Sequence, residues 1–140
     1  MQLNNTSQYA IRILSYIANN GKENLVSAKT LSHTLDIPYK FLTKIMTDLA
    51  KLDFVISIRG REGGFKLARE ASSITIMEIL NAFNEFTDHT SCLLGIGNCV
   101  GKESKLKCIL HDQWLKPKSM IKKMYEDITI DNVEGLQFKE

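Results

Sequence analysis

A mainly α-helical fold carrying one small β-hairpin is predicted by three features of this 140-residue chain. Three segments with helical apolar spacing open the sequence, the second and third separated only by Asp36-Ile37. A turn rich in glycine and arginine, flanked by two β-prone runs, follows them directly. Beyond a cluster of cysteines, a last apolar stripe predicts a long C-terminal helix.

The first helix is read from "SQYAIRILSYIANNG", where Tyr9, Ala10, Ile13, Leu14, Tyr16 and Ile17 recur at helical spacing. Asn19-Asn20-Gly21 stops it. In "SAKTLSHTLDI", Ser27 is placed to cap a short second helix with Ala28, Leu31 and Leu35 inward. Pro38 suits the first turn of a third helix, whose inward face is expected to carry Phe41, Leu42, Ile45, Leu49 and Leu52. Two helices joined this tightly form a helix-turn-helix.

Val55 to Ile58 and Phe65 to Leu67 are β-like runs, and Gly60, Gly63 and Gly64 between them can adopt positive φ, so a hairpin is expected. Following directly on the helix pair, it makes the layout a winged helix-turn-helix. Thr75 and Glu78 have capping-box spacing at the head of a fourth helix, with Ile76, Ile79, Leu80 and Phe83 buried. The stretch from Thr87 to Cys108 reads as a loop. A final helix presents Leu110, Trp114, Met120, Ile121 and Met124, with a kink or restart expected at Pro117 and a frayed tail after Asn132. The expected organisation is a winged helix-turn-helix domain over residues 1–86, a cysteine-rich loop over 87–108, and a final helix with its tail over 109–140.

Charge distribution says more than the net charge of +2. Between Pro38 and Arg69 there are seven Lys or Arg (Lys40, Lys44, Lys51, Arg59, Arg61, Lys66, Arg69) against Asp48, Asp53 and Glu62. A second run, Lys102 to Lys123, has seven lysines against Glu103 and Asp112. A local basic excess is the footprint of an anionic partner, although solvated lysine faces are common. No apolar run approaches the length that crosses a bilayer. The polar, amphipathic N-terminus is unlike a signal peptide. A cytoplasmic protein without membrane contact is expected.

Duplex DNA demands cations against phosphates and a narrow element that offers donors to base edges. The exposed N-terminal part of a second helix-turn-helix helix does the latter in the major groove. Tyr39, Lys40, Thr43 and Lys44 occupy those positions. An arginine-bearing hairpin tip can enter the neighbouring minor groove, where glycine permits close approach and a narrow groove attracts the guanidinium. Arg59, Gly60, Arg61, Gly63 and Gly64 fit that use.

Three cysteines, Cys92, Cys99 and Cys108, fall within seventeen residues and nowhere else, with His111 three positions beyond the last. An odd, clustered set without a signal peptide argues for metal or redox chemistry over a disulfide framework. Three thiolates and an imidazole suit tetrahedral zinc, and such sets also hold iron–sulfur clusters. Unmetallated thiols are the third possibility, and spacing alone leaves all three open. His33 reads as structural or surface.

The segments "YAIRILSYIA", "DIPYKFLTKIMTDLAKLDFVISIRGREGGFKLARE" and "SSITIMEILNAF" together resemble the Rrf-type family of winged-helix transcription regulators, the group containing IscR and NsrR. The resemblance runs from about Met1 to beyond Trp114. It implies a homodimeric regulator, usually a repressor, that binds a partly palindromic operator and dimerises through the long C-terminal helix. DNA reading by the second helix of the motif and by the wing would fall on the residues named above. "CILHDQW" resembles the segment in which the last cysteine precedes a ligand histidine, so the implied ligands are Cys92, Cys99, Cys108 and His111, and the implied cofactor is a 2Fe–2S cluster. The C-x6-C-x8-C intervals are longer than the family's usual spacing. Gln8 stands where cluster-binding members of the second type carry an aspartate; Glu85 and His89 are substitutes for that ligand by residue type only.

Within the same family, a zinc-stabilised or cofactor-free regulator responding to a partner protein or small molecule is the alternative. An enzyme is not expected, because the sequence has no Ser-His-Asp ordering, no phosphate-binding glycine loop and no C-x-x-C pair. A protein-binding winged helix would favour an apolar or aromatic wing tip over arginine.

Overall fold

A computed structural model describes residues 3–21, 24–84 and 108–133. The elements are α1 (Asn5–Asn20), α2 (Ala28–Leu35), α3 (Tyr39–Lys51), β1 (Val55–Ile58), β2 (Gly64–Leu67), α4 (Ile76–Ala82) and α5 (Ile109–Asp127). Short 3-10 turns cover Ala71–Ser73 and Ile130–Asn132. This is the expected mainly α fold with a small β-hairpin, a winged helix-turn-helix followed by a long helix.

Three of the helices start where a side chain satisfies an open N–H group. Asn4 accepts from the Ser7 amide at the head of α1, Ser27 from Thr30 at α2, and Thr75 from Glu78 at α4. Helix α1 lies centrally, packing against α2, α3, α4 and β2. Its Ala10, Ile13, Leu14 and Ile17 meet Leu31, Leu35, Leu42, Ile45, Met46, Leu49, Ile79 and Leu80 in one core.

The connection between α2 and α3 is fixed by backbone and hydroxyl bonds. Asp36 takes a left-handed conformation (φ 53°), the Ile37 amide donates to the Ser32 carbonyl, and the Ser32 hydroxyl returns a bond to the Ile37 carbonyl at 2.6 Å. Ile37 is buried beneath this turn. At the far end of α3, Asp53 is also left-handed (φ 62°), and the Phe54 amide donates to Leu49, so the chain turns sharply into β1.

β1 and β2 pair antiparallel with Val55 opposite Leu67 and Ile58 opposite Gly64. Val26 adds a third rung, exchanging two backbone bonds with Phe65 at 3.0 and 2.8 Å just before α2 begins. The base of the wing is thereby tied to the helix-turn-helix on both sides.

The inward placement of two residues needs correction. Phe41 on α3 and Leu52 at its C-cap, placed inward from the sequence, are exposed, whereas Met46 is buried. Successive residues are 100° apart, which puts Phe41 and Leu52 at the margins of the stripe centred on Leu42 and Leu49. Helix α5 continues through Pro117 as one element and does not restart. The chain up to Val133 is anchored. Thr75 and Thr129 bridge, Ile76 and Ile130 amides donate to Ile128 and Ile74 carbonyls, and the Asn19 amide bonds to the Val133 carbonyl. The frayed tail expected after Asn132 lies, from residue 134 on, outside the described residues.

Candidate nucleic-acid interface and cysteine site

Helix α3 offers an outward face of Lys40, Lys44, Thr47 and Lys51, all exposed, with Tyr39 and Phe41 on its flanks. Leu42, Ile45, Met46 and Leu49 hold the opposite face in the core, which fixes the rotation of the helix. Thr43 is only half-buried, and its hydroxyl donates to the Lys40 carbonyl at 3.0 Å; Thr47 does the same to Thr43 at 2.9 Å. Each hydroxyl oxygen keeps acceptor capacity. Pro38 provides no side-chain cap at this helix start, so the first-turn amides and the positive end of the helix dipole face outward, a setting that favours a phosphate.

Arg59 and Arg61 are exposed at the hairpin tip, as the sequence suggested. Its glycines differ in what they do. Gly60 has φ 121° with open space where a side chain would be. A Cβ on Gly63 would lie 2.3 Å from the Ile58 carbonyl oxygen, and one on Gly64 would lie 2.8 Å from that of Val26. Gly63 and Gly64 are therefore required by the close packing of the wing's own backbone, whatever the wing touches.

Not every cation in the basic stretch belongs to this surface. The Arg69 guanidinium donates to the Glu78 carboxylate at 2.7 Å and stacks 5.3 Å from the centre of the Phe54 ring. That residue joins the end of β2 to α4. Thr47 and Lys51 were missed as members of the outward face. A helical projection extended by two turns from Lys40 and Lys44 would have included them.

Of the expected metal ligands, Cys108 is exposed at the N-cap of α5 and His111 is half-buried one turn further on. Three residues apart on a helix, they share an edge and could present one thiolate and one imidazole together. Cys92, Cys99, Glu85 and His89 lie outside the described residues. Among the described residues, no three His, Cys, Asp or Glu side chains gather into a metal-binding group. Gln8 is occupied locally, donating from its amide to the Leu3 carbonyl. His33 is exposed in the last turn of α2.

The five apolar residues expected to form one stripe on α5 fall within an arc of about 120° of its circumference, which grades from covered to exposed. Trp114 and Ile121, at one edge of it, are half-buried, whereas Leu110, Met124, Met120 and Ile109 are exposed. Ile109 is 77% and Met120 65% exposed. No helix among the described residues is long and apolar enough to cross a membrane.

Comparison with known proteins agrees with this geometry. The chain matches the Rrf2 family, described as "Iron-dependent Transcriptional regulator", over residues 3–134. It is 30% identical to the HTH-type transcriptional regulator IscR of Escherichia coli over 137 residues, 98% of this chain and 82% of that one. With the HTH-type transcriptional regulator NsrR of Shouchella clausii it shares 33% identity over 114 residues, 80% of this chain and 76% of the other. Its fold is similar to that of CymR, the global cysteine regulator of B. subtilis, with a TM-score of 0.77 at 20% identity and 95% of both chains covered. A helix-turn-helix with a cationic outward face, an arginine-tipped wing and a sequence match across nearly the whole length lead to one conclusion: the chain belongs to the Rrf2 family and is a DNA-binding transcription regulator, not an enzyme.

Proposed function

We propose that the protein is a cytoplasmic, homodimeric repressor that binds a partly palindromic operator and whose DNA affinity is governed by an iron–sulfur cluster of the 2Fe–2S type. The observation that carries the DNA-binding part is the pairing of an uncapped, lysine-faced α3 with an arginine-tipped hairpin, both held rigidly to one core. In this reading Tyr39, Lys40, Thr43 and Lys44 address the major groove, while Arg59 and Arg61 follow the adjoining minor groove. Gly60, Gly63 and Gly64 permit the wing backbone to come close.

Dimerisation is assigned to the exposed side of α5. Ile109, Leu110, Met120 and Met124 offer an apolar strip to a second copy, and pairing two copies sets the distance between the two reading heads.

The cluster part rests on the donor set Cys92, Cys99, Cys108 and His111 and on the iron dependence in the family's description. A bound cluster would supply a centre sensitive to oxidation and nitric oxide. The chain supplies the mechanical connection. Helix α5 follows directly on Cys108 and packs on α4, and the chain after it pairs Ile128 and Ile130 with Ile76 and Ile74. A shift at the first turn of α5 therefore has a packed route to the winged domain.

Anaerobic purification followed by absorption spectroscopy, iron and labile-sulfide assays, and duplex-binding titrations of loaded and stripped protein tests this proposal. A brown protein whose two forms differ in DNA affinity supports it. Equal affinity refutes the control, and zinc in place of iron favours the zinc-stabilised member of the family.

A further inference from the structure

We propose that Phe41 is a specificity-determining residue that reads the 5-methyl group of a thymine in the major groove. The inference rests on the assignment of α3 to DNA.

Phe41 is 57% exposed on a helix whose other apolar side chains, apart from the flanking Tyr39, are covered or lie in its last turns. It occupies the third position of α3, between Lys40 and Lys44 in sequence and within 60° of Lys44 around the axis. Long side chains on a helix lean back toward its N-terminus. The ring therefore leans toward the end of α3 that a helix-turn-helix protein inserts into the groove. A phenyl ring can neither neutralise a phosphate nor hydrogen-bond a base edge. The one apolar group that the major groove displays as sequence information is the thymine methyl, and phenylalanine is among the side chains that contact it. Lys40 and Lys44, both on the outward side of the ring, supply the attraction that brings the polyanion to it.

The test begins with duplexes selected from a random pool by the intact protein. Each thymine of the selected half-site is then replaced by deoxyuridine, which removes only the methyl. Titrations compare wild type, Phe41→Ala and Lys44→Ala. At one thymine per half-site, wild type should lose about fourfold in affinity, the worth of one buried methyl, and about fifteenfold when both half-sites are changed. Phe41→Ala should bind the thymine and uracil duplexes alike, with an unchanged thermal midpoint because the ring is exposed. Lys44→Ala should bind more weakly but keep the full uracil penalty.

Three results overturn the assignment. Equal uracil penalties in wild type and Phe41→Ala remove the coupling. A uniform loss over all sequences in Phe41→Ala means packing on sugar. A change in association state without a change in sequence preference means that Phe41 faces protein. If no duplex is selected and Lys44→Ala has no effect, the assignment of α3 to DNA fails and this inference fails with it.

Discussion

At the scale of single residues, the backbone separates positions that hold the wing from positions that serve it. Gly63 cannot carry a Cβ without striking the Ile58 carbonyl. Gly63→Ala is expected to lower stability by about 1–3 kcal/mol, read from the urea midpoint. Arg59 is exposed at the tip and lies outside the core. Arg59→Ala should leave that midpoint within about 0.5 kcal/mol and weaken operator binding by about 1–3 kcal/mol where the arginine meets a base. Asp53 turns the chain from α3 into β1 at φ 62°. A β-branched side chain tolerates this conformation poorly, so Asp53→Val should cost about 1–2 kcal/mol, whereas Asp53→Asn should be nearly neutral.

At the scale of elements, most of the fold was legible because amphipathic spacing and caps agreed. Ser27, Thr75 and Pro38 stand at helix starts, and the residues of α1 at helical spacing point into the core. The hairpin was legible from glycines between alternating runs. Phe41 and Leu52 were misread because they lie at the edge of the apolar arc of α3, where a projection cannot tell a covered ring from an exposed one. The third rung at Val26 and the pairing of Ile74 to Ile76 with Ile128 to Ile130 left no signature, since bridges one to three residues long have no period to detect. Within the candidate site, the α3 lysines and wing arginines followed from sequence, whereas the steric roles of Gly63 and Gly64 needed the neighbouring carbonyls. Leu49 is fully buried where α3 meets the rest of the core. Leu49→Ala should destabilise by about 2–5 kcal/mol in a denaturant titration.

At the scale of the whole molecule, the winged domain and α5 form a connected body. Helix α5 packs on α4, and its C-terminal extension pairs with the start of that same helix. Its remaining side leaves Ile109, Met120 and Met124 uncovered. If that side joins two copies, Met120→Asp combined with Met124→Asp should convert a dimer to monomers in sedimentation velocity while leaving the helical circular dichroism intact. An unchanged sedimentation coefficient would move the dimer contact elsewhere. A monomer reads one half-site, and its affinity should fall by orders of magnitude because the second set of phosphate contacts is lost.

If the protein grips a duplex, the cations of α3 and the wing meet its phosphates. The salt dependence of binding measures this directly, since each neutralised phosphate adds about 0.9 to the slope of log affinity against log salt. A variant with Lys40, Lys44, Arg59 and Arg61 all replaced by alanine should keep its fold, lose affinity, and show a slope smaller by several units. An unchanged slope and affinity would contradict this placement, because the duplex would then lie against some other face of the molecule.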